Sequence, residues 1–219
     1  MIELHYYPGN ASMAPHIVLH ELGVPFEKRL VDRTRNAHKS AEYLKLNPNG
    51  LIPVLVDGEL VLYECAAISL HLADKHPAAG LAPALGSPER AHYYKWMVWL
   101  TNTLQAMLIH YFYPDRLVDE GNADGAAQVQ AHAQAQVGRM LDQLEAQFAQ
   151  HGGPWLLGTA YSAADAHAFM LCRWTRGFQG AASAPARERP LLGAYLQRML
   201  ARPAVQRVIA DEGLSAPLV

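Results

Sequence analysis

Several short stretches carry side chains able to do chemistry. Glu64 and Cys65 open a run that reads as a helix. A helix N-terminus presents free N–H groups and a positive dipole end, so Glu64 is either a favourable first-turn acid or part of a seat for a ligand's carboxylate. Cys65 has only a weak S–H donor, so the backbone would carry part of such anchoring. His38 and Lys39 precede another short helix. Lys39 is charged at every physiological pH and is either solvated or a carboxylate partner. Pro53 heads a strand-like run after Ile52. That bond is either the trans link of an ordinary strand start or a cis link, which proline alone tolerates cheaply. A cis link can leave the N–H and C=O of Ile52 facing out, where an extended peptide can pair. His16 and His20 lie four apart, a spacing compatible with a metal. Two ligands alone do not make a site and the sequence indicates no third, so both read as structural or solvent-facing and no metal is expected. Ser162 and Asp165 have the spacing of a capping box, a stability feature. Cys65 and Cys172 form neither a CxxC motif nor a disulfide framework.

The elements that must position these residues fall into two textures. Ile2 to Tyr7 reads as a strand ended by Pro8-Gly9-Asn10. Met13 to Leu22 reads as a helix, with Ile17, Val18 and Leu22 on one face and Gly23 as its stop. Pro25 to Val31 is a second strand and Ala41 to Leu46 a short helix. Pro53–Val56 and Leu60–Leu62 flank Asp57-Gly58, a strong hairpin signal. Glu64 to His76 is a helix closed by Pro77. Strand–helix–strand followed by a hairpin predicts a small mixed sheet sandwiched by helices. Residues 78–88, rich in Gly and Pro, are the linker. Beyond them only helices are expected: Ala91–Tyr111, Ala126–Gln150, one opening at Ser162, and Leu191–Met199. The path of the tail after Pro203 is unassigned.

Composition bounds the rest. The chain has 219 residues, 51% hydrophobic and 17% charged, enough apolar material for a core. Eighteen Lys and Arg against 20 Asp and Glu give a formal charge of −2, which offers no footprint for nucleic acid or an anionic membrane. No apolar run is long enough to span a bilayer, and MIELHYYPG shows no secretory signal pattern. A cytoplasmic, globular, ligand-handling protein is expected.

Three stretches together resemble the cytosolic glutathione S-transferase family, bacterial type. Asn47-Pro48-Asn49-Gly50-Leu51-Ile52-Pro53-Val54-Leu55 is similar to the family's loop leading into a cis-proline. Tyr63-Glu64-Cys65-Ala66-Ala67-Ile68 resembles its Glu-Ser-x-Ala-Ile helix start, with Cys where Ser is usual. Gly158 to Asp165 resembles its capping box in the helical domain. The resemblance covers essentially the whole chain. It implies an α/β thioredoxin-like N-terminal domain over 1–79 and an all-α C-terminal domain over 88–219.

The resemblance also implies glutathione as a substrate. Its cysteinyl part would pair with Ile52 beside a cis Pro53, its glutamyl part would rest on Glu64 and Cys65, and Lys39 would hold its glycyl carboxylate. A thiol of pKa about 8.5 is mostly protonated at neutral pH, and lowering it by about two units takes roughly 2.7 kcal/mol. One charged hydrogen bond supplies about 1.5–3 kcal/mol, so one well-placed donor is enough. The family places it between the first strand and first helix. Ser12 is the first candidate, Asn10 the second and Tyr7 the third; Ala11 stands where cysteine-type members carry their cysteine. The segment from Trp99 to Tyr113 supplies Asn102, Gln105, Met107, His110, Tyr111 and Tyr113, of which His110 and Tyr113 are assigned to the site of a small hydrophobic electrophile. Phe169, Trp174 and Phe178 are either the far wall of that site or core, and are read as core. The expected protein is a homodimeric, detoxifying glutathione transferase. Alternatives are a glutathione-dependent isomerase, dehalogenase or peroxidase on the same fold, or a non-catalytic ligand binder.

Overall fold

Alternation in the opening residues makes the first strand: β1 (Ile2–Tyr6) buries Ile2 and Leu4 and turns Glu3 and His5 to the other side. The computed structural model describes residues 1–180 and 183–219. After β1 comes α1 (Met13–Leu22), which ends at Gly23, where φ is 65°. Strand β2 (Phe26–Leu30) returns parallel to β1, as the handedness of a strand–helix–strand unit requires. Two 3-10 turns, Arg33–Arg35 and Ala37–Lys39, lead to α2 (Ala41–Leu46), capped by the Ser40 hydroxyl, which accepts the Tyr43 N–H at 3.2 Å. The expected hairpin forms from β3 (Val54–Asp57) and β4 (Leu60–Tyr63). The sheet order is β2-β1-β3-β4, with β1 and β3 antiparallel.

Helix α3 (Cys65–Lys75) packs with α1 over one face of this sheet. Tyr43 of α2 covers the other face, joining Val31, Ile52 and Val54 in a small second core. This is a thioredoxin-like layer arrangement.

The rest of the described chain is helical. Helix α4 (Pro88–Trp99), a π-helical segment (Leu100–Gln105) and α5 (Ala106–Phe112) run on as one rod. Then come α6 (Ala123–His151), α7 (Ala163–Trp174), α8 (Pro190–Leu200) and α9 (Pro203–Asp211). Helix α7 is buried from Ala163 to Arg173 and packs on α1 and α3, so it joins the helical layer to the sheet layer. Its start is the expected cap: the Asp165 carboxylate accepts the Ser162 N–H at 2.9 Å and the Leu156 N–H at 2.8 Å.

The chain after Pro203, unassigned from sequence, is helix α9, lying on α1. Pro203 is its first-turn proline, and Val205 and Val208 face the core three residues apart. No helix among the described residues is long and apolar enough to cross a membrane.

Candidate active site

A cavity of about 380 Å³ opens where the C-terminal end of β1 meets α5 and the end of α7. Gly9, Asn10 and Ala11 form its floor; Arg33, His38, Lys39 and the loop Gly50–Ile52 form one wall. Gln105, Ile109, Phe112, Tyr113, Arg116, Trp174 and Arg176 form the facing wall.

The Ile52 edge arises locally. The Leu51 carbonyl accepts from the Tyr43 hydroxyl and from Asn47 Nδ2, each at 2.8 Å, which pins the loop to α2. The Ile52–Pro53 peptide is cis. Pairing of β3 with β1 begins only at Val54, and neither the N–H nor the C=O of Ile52 has a partner among the described residues. Pro53 itself is buried and does not line the cavity. Gly50 is required here: at φ 59° a Cβ would fall 2.8 Å from the His38 carbonyl oxygen. Lys39 reaches the cavity with its Nζ 3.2 Å from the Asn49 carbonyl. His38 lies beside it, its pKa held below the usual value by burial and by Arg33 and Lys39.

The three candidate donors to a thiol separate cleanly. Ser12 is fully buried; its hydroxyl accepts the Tyr7 N–H at 3.2 Å and donates to the Tyr7 carbonyl at 3.1 Å. It is committed to the backbone of the β1–α1 turn and does not line the cavity, so the first-ranked donor role does not fit its geometry. Tyr7 packs into the second core beside Ile52 and Val54 and is also absent from the cavity wall. Asn10 does line the cavity. Its Oδ1 accepts the Ala11 N–H at 2.7 Å, which fixes the orientation of the amide and leaves its NH2 without a protein partner among the described residues.

Cys65 is placed differently from the expectation. Its Sγ is buried and donates to the Ala11 carbonyl at 3.0 Å, with His167 Nδ1 at 3.9 Å on its other side. Burial pushes the thiol pKa far up. The side chain is therefore turned inward, and only its backbone amide, at the first turn of α3, is left for a ligand. Glu64 is exposed, with a φ of 73°, and lies outside the cavity wall.

On the facing wall, Tyr113 is present and His110 is not. The cavity face of this rod carries Gln105, Ile109 and Phe112, at helical spacing; His110, one residue past Ile109, turns about 100° away. Trp174, read as core from sequence, instead lines the cavity and donates its indole N–H to the Gly9 carbonyl at 3.2 Å. Phe169 and Phe178 are core as expected. Gln105 is oriented from behind by His167 Nε2 at 2.9 Å. Burial holds the His167 pKa down to about 4, so the ring is neutral; because the Gln105 Oε1 can only accept, the proton of this contact sits on Nε2. Arg33, Arg116 and Arg176 escaped the sequence reading. They lie in short turns after β2, α5 and α7, where nothing in the local pattern says which way a side chain points.

The floor is braced from the far end of the chain. Glu212, buried just past α9, accepts the Gly9 N–H at 2.8 Å and faces His16 Nδ1 at 2.8 Å. The third group beside His16 and His20 is Asp211, whose Oδ2 lies 3.3 Å from His20 Nε2. Lys28 Nζ approaches that same oxygen at 3.1 Å, so the cluster is an ion-pair network tying α1 and β2 to α9.

A thioredoxin-like sheet with a helical layer over its ligand edge defines the glutathione-transferase class of fold. Residues 2–74 match the family model for the glutathione S-transferase N-terminal domain, and residues 101–203 that for its C-terminal domain. The chain is 36% identical over 211 residues to glutathione S-transferase 3 of Zea mays, covering 91% of this chain and 89% of that protein. It is 30% identical to glutathione S-transferase GST-4.5 of Xanthomonas campestris pv. campestris, over 98% and 100% of the two chains. Among solved structures, a glutathione transferase homologue from Sulfitobacter with bound glutathione superposes with a TM-score of 0.86 at 26% identity, covering 98% of this chain and 99% of that one. The chain belongs to the glutathione S-transferase family.

Proposed function

We infer that the protein is a glutathione S-transferase that binds glutathione along the Ile52 edge, stabilises its thiolate beside Asn10 and conjugates it to a small electrophile. The observation that carries this reading is the unpaired N–H and C=O of Ile52, beside the cis peptide, on the same cavity as Asn10 and Lys39. An extended peptide with its cysteine paired there would use both groups. Lys39 would take the glycyl carboxylate; the first-turn amides of α3 at Cys65, with Glu64 for the ammonium, would take the glutamyl end. The solved Sulfitobacter relative with bound glutathione supports the choice of ligand.

In the reaction the glutathione thiol gives its proton to water, the thiolate forms a C–S bond to the electrophile, and the leaving group departs with its electron pair. The Asn10 NH2 offers one hydrogen bond to the anion, worth about 1.5–3 kcal/mol. The α1 N-terminus adds about 0.3–1 kcal/mol. Together these meet the roughly 2.7 kcal/mol needed for a two-unit fall in thiol pKa. Holding both substrates in one cavity supplies proximity. Residues 1–79 would form the glutathione-binding unit and residues 88–219 the electrophile side. A cytoplasmic homodimer working in detoxification fits the family; exposed Leu60 and Val61 on β4, and Tyr94 and Val98 on α4, are apolar side chains that a second copy would cover.

Ultraviolet titration of the thiolate in the glutathione complex tests the reading. A bound-thiol pKa about two units below the free value is expected. A thiol that titrates at its free value when bound would point to a binder without catalysis.

A further inference from the structure

The cavity wall carries four permanent cations, Arg33, Lys39, Arg116 and Arg176, and no carboxylate. None of the four forms an ion pair among the described residues, whereas Arg29, Arg90, Arg189 and Arg202 elsewhere each reach an acid. Their convergence is close. Arg33 Nη2 donates to the Tyr113 hydroxyl at 2.9 Å, and the Arg116 guanidinium lies 4.1 Å over the centroid of the same ring. Two like charges gathered around one neutral side chain repel unless an anion joins them. Arg176 uses one nitrogen on the Arg173 carbonyl at 3.2 Å, keeping the rest of its fork for a ligand.

Bound glutathione does not consume this charge. Its thiolate form carries two carboxylates, a thiolate and an ammonium, a formal −2. Lys39 takes its glycyl carboxylate, and the α3 amides with Glu64 take its glutamyl end, all on the sheet side, so Arg116 and Arg176 on the helical side are left over. Beside them stand apolar surfaces: Ile109, Trp174 and Phe112, the last 43% exposed.

We propose that the second substrate is an anionic electrophile, a flat apolar body bearing a carboxylate, which Arg116 and Arg176 hold while Phe112 and Trp174 pack its ring. This rests on the reading of the cavity as a glutathione transferase site and narrows the small hydrophobic electrophile expected from sequence to one that carries a charge. Planar guanidinium forks suit carboxylates, and the two arginines orient the electrophilic carbon toward the sulfur near Asn10.

The test uses the full chain filled with S-methylglutathione, which cannot react. Calorimetric titration compares 3,5-dinitrobenzoate with its methyl ester. At low salt the acid should bind at least about tenfold tighter, and the advantage should shrink in about 0.3 M NaCl, because the exposed Arg116 is screened. Arg116→Gln and Arg176→Gln should each weaken the acid severalfold and leave the ester and S-methylglutathione unchanged. With glutathione and 4-chloro-3,5-dinitrobenzoate, where sulfur displaces chloride, both variants should raise the KM of the acid and not that of its ester. If S-methylglutathione binds and the ester does as well as the acid, or both variants keep the preference, the inference is overturned alone. If S-methylglutathione does not bind, the glutathione reading falls and takes the co-substrate role with it.

Discussion

Oδ1 of Asn10 accepts the N–H of Ala11 at 2.7 Å, and that one bond decides which atom of Asn10 the ligand meets. The carbonyl end is held against the backbone, so the end left for the cavity is the NH2, a donor with nothing to accept. A thiolate is the charge such a group favours. Asn10→Ala should raise the pKa of bound glutathione by about one to two units and lower kcat/KM at neutral pH by about 10- to 100-fold. The pH–rate profile checks this, since its acid limb should move up by the same interval.

Ser12→Ala gives the contrasting result. The hydroxyl bridges the Tyr7 N–H and C=O and never reaches the cavity. Its loss should cost about 1–2 kcal/mol of stability, read by urea denaturation, while the bound-thiol pKa stays put. A shift in that pKa would return Ser12 to the chemistry.

Both thiols should be silent in the native state. Cys65 and Cys172 are buried; burial drives the Cys65 thiol pKa far up and pushes that of Cys172 up to about 12. Ellman's reagent should label neither until the protein unfolds, because the thiolate is the reactive form. Fast labelling of Cys65 in the folded protein would contradict its inward orientation.

Glu212 reaches across almost the whole chain to hold Gly9 and His16. Glu212→Ala leaves a buried N–H and a histidine without their acceptor, at a cost of about 3 kcal/mol. Because the Gly9 turn carries Asn10, glutathione should also bind severalfold more weakly. Paired denaturation and calorimetry would show both effects, and loss of stability with unaltered affinity would confine Glu212 to folding.

His167 gives stability a pH dependence. Its folded pKa, held by burial at about 4, lies below the roughly 6.5 of an unfolded histidine. Between these values the unfolded chain binds a proton that the folded chain refuses, so this contribution is present above about pH 6.5 and is lost as pH falls toward 4. From pH 7 to pH 5 the loss should be about 2 kcal/mol. Wild type should therefore lose about that much more than His167→Gln over the same interval in urea melts; parallel curves would mean that His167 titrates normally.

Most of the sheet layer was legible because its signals are local. Gly23 stops α1, Asp57-Gly58 turns the hairpin, and Pro53 and Gly50 serve one short loop whose geometry depends on both. Helix α9 was readable in principle from Pro203, Val205 and Val208, yet its importance was not: Asp211 and Glu212 act on α1 and Gly9, nearly two hundred residues earlier. Side-chain direction was the weakest link. Ser12 and Asn10 are both sound donors by type, and only the turn geometry sends one inward and one to the cavity. The same holds for His110 against Ile109, one position apart on α5. The arginine cluster was hidden in a chain of net charge −2, because its members come from three turns far apart in sequence.

A crystal of the protein soaked in glutathione would show where the tripeptide lies. The cysteinyl N–H and C=O should pair with Ile52, and the sulfur should lie within hydrogen-bond reach of Asn10 Nδ2. A sulfur lying beside Tyr7, or a tripeptide bound away from Ile52, would contradict this placement.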